Sequence, residues 1–170
     1  MALVNIFAVF ILAVSFFGGF KDGLVKQAFN LLILLIAVYL AGLSYSLIAS
    51  IISFLPGTNW ENFFGFFITF ALITLVLKLA LFIPSRFLHA MWKWVPLSKL
   101  LGAALNLLNA AIGLVVFRLI LTAYPIIDWL ERAVAGAGVI TWLLQRLEFV
   151  PALLPVIARE AAPLVMTGLW

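Results

Sequence analysis

Cysteine is absent from the 170 residues. That excludes disulfides, thiolate chemistry and any cysteine-ligated metal, and it leaves the redox compartment unread. Histidine occurs once, as His89, so the multi-ligand set of a zinc site cannot be assembled. Charge is scarce as well: Asp, Glu, Lys and Arg make up 9% of the chain, against about 25% in ordinary soluble domains. Apolar residues fill the difference, at 67% against about 45–50%. A soluble chain of this size could not cover its surface with so few polar groups. Lipid must be the solvent for most of it.

The same scarcity removes whole classes of function. The net charge of +4 comes from ten basic and six acidic residues, with no basic run dense enough for nucleic acid. In a membrane protein such an excess speaks of orientation instead. Serine and threonine occur without a His–Asp arrangement around them. The closest acid–base neighbours, Glu131–Arg132 and Glu160–Arg159, read as local ion pairs. No catalytic residue, metal ligand, cofactor-binding residue or cofactor is nominated, and no enzyme is expected.

What the chain does contain is long apolar runs. A spanning helix needs roughly 20 predominantly apolar residues, and four stretches qualify: about 2–20, 28–52, 62–84 and 100–124. The first has no positive charge ahead of its apolar run; the first charge is Lys21, behind it. It therefore reads as a retained transmembrane helix and not as a signal peptide. The run Pro-Gly-Thr-Asn-Trp-Glu at 56–61 reads as a turn, and Pro84 and Pro125 end the third and fourth spans. Between those spans, Arg86, His89, Lys93 and Lys99 alternate with Trp92 and Trp94, the composition of an interfacial segment. The expected fold is an all-α integral membrane protein: a transmembrane domain over 1–125 with four helices in two hairpins, then short amphipathic helices over 126–170. In that tail Ala133–Gln145 is too short to span, and Pro151, Pro155 and Pro163 break the rest.

Lysine and arginine set orientation. The first loop carries Lys21 and Lys26, the second none, the third Arg86, Lys93 and Lys99. Loops one and three are expected in the cytoplasm, with both termini outside the inner membrane.

One stretch invites a sharper reading. In GGFKDGLVKQ, Gly18 and Gly23 stand at the glycine spacing of a phosphate-binding loop. Leu24 and Val25 occupy the places where Lys and Ser or Thr are required, and an apolar helix precedes instead of a strand. Asp22-Gly23 is a turn signal, and Gly19, Lys21, Gly23 and Lys26 together read as a cytoplasmic hairpin.

The run Gly19-Phe20-Lys21-Asp22-Gly23-Leu24-Val25-Lys26-Gln27 also resembles the G-x-x-[RK]-G-[FL]-[VI]-[RK]-[EQ] pattern of the colicin V production protein family. Leu97-Ser98-Lys99-Leu100-Leu101-Gly102-Ala103 resembles that family's entry to its fourth helix, and order and spacing agree over about residues 3–124. Asn5 stands where the family often has an acid, Asp22 where it often has a base, and Asn106–Ala110 replaces a G-x-x-R-G run. The resemblance implies a small inner-membrane protein with four spans, linked to production or export of a peptide toxin and to envelope upkeep. It implies no reaction.

Polar residues at membrane depth are the remaining candidates. Lys78 lies six residues before Pro84, with Asp22 as the acid expected on its side. It reads as a snorkelling or paired lysine, or as an ion or substrate contact. Arg118 lies seven residues before Pro125, with Glu61 and Asp128 as the nearby acids. It reads as half of a structural ion pair or as a functional residue. Gly102, Asn106, Asn109 and Gly113 share one helix face and read as a packing seam or as the wall of a polar path. Two functions stay open: an accessory protein contacting membrane or export proteins, or an oligomeric channel or transporter. Expected partners are the lipid bilayer, other membrane or export proteins and a second copy of the chain, with no nucleic acid.

Overall fold

A computed structural model describes residues 2–54, 57–91, 96–154 and 157, with backbone only for 82–91 and 96. The chain folds into helices throughout: α1 (Ala2–Ile51), α2 (Thr58–Met91), α3 (Pro96–Ala123), α4 (Asp128–Ala135), α5 (Gly138–Arg146) and α6 (Phe149–Leu153). Three of them hold a segment long and apolar enough to cross a membrane: Ala2–Ile51, Thr58–Ala80 and Leu97–Ala123. Helices keep every backbone hydrogen bond within the segment, which hydrocarbon demands. Their outer faces agree with lipid as solvent, for Leu3, Phe7, Phe10, Phe17, Leu47 and Leu79 are all well exposed. This is a multi-pass membrane protein.

α1 is far longer than one crossing needs. Its 50 residues would reach roughly 75 Å if straight, against about 30 Å of hydrocarbon. It is not uniform, because Gly23 interrupts it with φ 79° and ψ 170°. Only glycine adopts that region readily. The contacts on either side of Gly23 are equally telling. Ser15 and Gln27 are twelve residues apart, yet they bond Asn106 and Asn109, only three apart on α3.

The two stretches that carried the family resemblance meet in space. Gly102 of the second lies against Gly19 and Gly23 of the first. The Ser98 hydroxyl accepts from the Leu24 N–H at 3.3 Å, covering one of the donors that a broken helix leaves without a partner.

Three boundaries differ from expectation. The turn at 56–61 is shorter, for Thr58 already opens α2 and Glu61 sits in its first turn, where the helix dipole favours an acid. Gly57, at φ 101°, makes the connection. α2 does not stop at Pro84 but continues to Met91; a proline in such a helix removes one hydrogen bond without forcing an end. α3 begins at Pro96, because proline suits the first helical position, where its missing N–H is no loss. The interfacial Trp92 and Trp94 lie outside the described residues, as do Lys93, Pro155 and residues 158–170.

The core is centred on α3, where Ile112, Val115, Leu119, Ile120 and Leu121 are buried among Tyr45, Phe63 and Phe66. The short helices close over the same core through Val134, Ala137, Ile140, Leu143, Val150 and Leu154. Gly42 of α1 receives the Leu154 side chain: a Cβ there would lie 2.8 Å from Leu154 Cδ2. At the same end the Tyr45 and Tyr124 hydroxyls meet at 2.5 Å.

Candidate functional site

Between the long helices opens a cavity of about 380 Å³ with polar residues in its wall. Ser15 and Asn30 of α1, Thr74 and Lys78 of α2, and Asn106 and Asn109 of α3 line it, with Ile33, Leu34, Phe70 and Ala110 as its apolar wall. Asn30 and Asn109 are held by a directional chain of hydrogen bonds that starts at the bend. The Asp22 carboxylate accepts from Lys26 Nζ at 2.6 Å and from Gln27 Nε2 at 3.1 Å. A carboxylate only accepts, so it fixes the nitrogen of the Gln27 amide toward itself and the oxygen away. Gln27 is 1% exposed, and its Oε1 accepts from Asn30 Nδ2 at 3.2 Å and from Asn109 Nδ2 at 3.4 Å. Asn106 Nδ2 donates to the Ser15 carbonyl at 2.6 Å.

Each of the three asparagines has its nitrogen turned to protein. Asn109 Oδ1 is buried with no partner, and so is the Thr74 hydroxyl. A buried polar atom without a partner costs about 1–3 kcal/mol, and both residues are among those that line the cavity. Lys78 brings a cation to the same cavity. It is exposed, and no ion pair involves it among the described residues. Asp22, its expected partner, is engaged by Lys26.

The other nominated residues fall as follows. Of the seam, Gly102, Asn106 and Asn109 contact α1, whereas a Cβ on Gly113 would meet nothing within 4 Å. Gly113 shares the face but not the contact. Gly19 is buried against α3, and Lys21 and Lys26 are exposed beside Gly23. Arg118 is 9% exposed and lies under α5, where its Nη1 donates to Thr141 Oγ1 at 2.6 Å and its Nε has no partner. Neither Glu61 nor Asp128 forms an ion pair with it among the described residues. His89 lies on α2, and no metal-binding group of His, Asp and Glu occurs among the described residues.

Arg118 and Thr141 depend on each other unequally. Thr141→Val removes the acceptor from a buried guanidinium and is expected to destabilise the fold by about 1–3 kcal/mol. Arg118→Met leaves Thr141 its own bond to the Ala137 carbonyl at 3.0 Å and is expected to cost less. Thermal unfolding in detergent gives the order; a costlier Arg118→Met would mean that the guanidinium has a second anionic or carbonyl partner.

Sequence reasoning missed Ser15, Gln27, Asn30, Thr74 and Thr141. A signal existed for two of them: Gln27 and Asn30 are amides three residues apart at the start of an uncharged run. The others are single hydroxyls in apolar sequence, which helices tolerate without any function.

A family model described as Colicin V production protein matches residues 4–148. The match runs beyond residue 124, where the quoted motifs end, and takes in α4 and α5. Comparison with curated proteins finds no match, and comparison with solved structures finds none either.

Proposed function

Because this chain belongs to the colicin V production protein family, we propose that it is an inner-membrane accessory protein of colicin V-type toxin production or export and of envelope upkeep, acting through contacts made within the membrane. The observation that carries this reading is the family match over most of the chain. The reading has no catalytic step. Its working surfaces are the exposed apolar faces and the short helices α4 to α6. Deleting the gene in toxin-producing cells should lower toxin in the medium, and the intact chain should restore it. Unchanged toxin output would sink the proposal.

The arrangement we propose has four spans, with α1 contributing two that turn back at Gly23. The non-helical dihedrals of Gly23 support it, and so do the bonds from Ser15 and Gln27 to neighbouring residues of α3. The lysines at the bend then face the cytoplasm and the α1–α2 connection faces outside. Single cysteines in the naturally cysteine-free chain test this in intact cells. Thr58→Cys should react with a membrane-impermeant thiol reagent, while Lys21→Cys and Lys99→Cys should not. Labelling at residues 21 and 99 but not 58 would reverse the orientation; labelling at both 21 and 58 would mean that the part of α1 after the bend does not cross.

A second reading, an oligomeric channel or transporter, is favoured by the polar cavity. Four spans are few for a pore in one chain, so this reading requires assembly. Purified protein in liposomes should then pass ions or small solutes, and Lys78→Gln should change the flux.

A further inference from the structure

We propose that the cavity beside Lys78 is a binding site for an anionic group, a carboxylate or a phosphate. The inference deepens the second reading above by giving its substrate a sign. It concerns binding alone, so it stands or falls separately from transport.

The sign follows from the charges in the wall. Ser15, Asn30, Thr74, Asn106 and Asn109 are neutral, and hydroxyls and amides serve ligands of either sign. Lys78 is the one charged residue among those that line the cavity. A cleft that carries charge of one sign concentrates the opposite ion, and lysine and arginine line anion pathways for the same reason. The acids of the described residues do not cancel Lys78. Asp22 is engaged twice, by Lys26 Nζ at 2.6 Å and by Gln27 Nε2 at 3.1 Å. Gln27 stands between that carboxylate and the wall, since its oxygen bonds Asn30 and Asn109. Glu61 lies seventeen residues before Lys78 on α2, roughly 25 Å along the helix. Asp128 and Glu131 belong to α4 and Glu148 precedes α6, and neither helix contributes to the wall.

Packing gives no separate account of this lysine. It is the only charge in α2 between Glu61 and Arg86, and a charge within an apolar membrane helix is costly. Its side chain is exposed and makes no ion pair or hydrogen bond among the described residues. An uncharged residue would suit the helix better, whereas an anion site requires the cation. The same exposure leaves Lys78 open to an entering ligand.

The test uses the purified full-length chain in neutral detergent and an amine-acetylating reagent, with modification at each lysine read by peptide mass spectrometry. Lys21 and Lys99 are exposed and lie outside the cavity wall, so they control for ionic strength. Inorganic phosphate or acetate should slow acetylation of Lys78 by about tenfold once the anion is at roughly ten times its dissociation constant. Lys21 and Lys99 should keep their rates. A parallel titration with phosphatidylglycerol separates the sources: protection by free phosphate assigns the site to a soluble anion, and protection by the lipid alone assigns it to a lipid phosphate. The anions that protect should also raise the unfolding temperature of the unaltered chain and of Lys78→Arg, but not of Lys78→Gln. Protection without flux in liposomes would keep the site and remove the transport reading. Equal slowing at residues 21, 78 and 99 would overturn the proposal, as would full reactivity of Lys78 in phosphate, acetate and phosphatidylglycerol alike. A rise in unfolding temperature that survives Lys78→Gln would place the anion elsewhere and overturn it as well.

Discussion

Gly102→Val is expected to prevent α3 from packing on the bend of α1, and Gly102→Ala to weaken that packing by about 1–3 kcal/mol, the range for overfilling a close-packed contact. A single methyl at residue 102 would stand 2.6 Å from the Gly23 carbonyl carbon, 2.8 Å from the Gly19 oxygen and 2.9 Å from Gly23 Cα. All three are backbone atoms, which cannot rotate aside as a side-chain tip can. Relief requires moving one helix off the other, and the bonds of Asn106 to Ser15 and of Ser98 to Leu24 go with it. The control comes from the same helix face. Gly113→Ala meets nothing within 4 Å and should stabilise the helix by up to about 1 kcal/mol, since alanine is the better helix former. Thermal unfolding in detergent should separate the two alanine variants in opposite directions. Equal effects at 102 and 113 would mean that the seam is not a close contact.

The other large effect belongs to Gly23. Its φ of 79° and ψ of 170° lie in a region that only glycine occupies readily, and forcing another residue there costs about 1–3 kcal/mol. Gly23→Ala is expected to pay that strain or to straighten α1. A straight α1 would separate Ser15 from Gln27 by roughly 18 Å, against roughly 4.5 Å between the asparagines they bond. One of those contacts must then fail. Gly23→Asn should give no rescue. Asparagine tolerates positive φ near ψ 47° but has no such preference at 170°. Gly138→Ala, in a position with open space around it, is the neutral comparison. The measurement is the thiol accessibility of Leu3→Cys, an exposed position, in the Gly23 and Gly138 backgrounds. A Gly23→Ala chain with unaltered accessibility and unfolding temperature would refute the role given to the bend.

Much of this was legible in the residues. The scarcity of charge required a bilayer, the apolar runs marked long helices, and Asp22-Gly23 marked the break. Gly19–Gln27 and Leu97–Ala103 pointed to the family. Legibility failed at two kinds of place. Helix ends shifted because proline has two meanings: Pro96 begins a helix, whereas Pro84 lies within one. Partners were misassigned because an acid on the right side of the membrane is not the same as an acid in contact. Asp22 was matched with Lys78 by level, yet Lys26, one turn away on the same helix, reaches it first.

The site itself shows where the boundary lies. Spacing along α3 put Gly102, Asn106, Asn109 and Gly113 on one face, and helical geometry alone guarantees that much. It could not say that Gly113 faces open space, that Gln27 holds Asn30 and Asn109 together, or that Thr141 and not an acid receives Arg118. In a soluble protein the apolar side of a helix points to its neighbours. Here lipid-facing and core-facing sides are both apolar, so hydropathy carries no sign of which way a helix is turned. The sequence alone therefore determined the solvent, the all-helical class and the point where α1 breaks. Which faces meet was decided only in three dimensions, by one glycine's dihedral angles and by backbone contacts so close that no side chain fits between them.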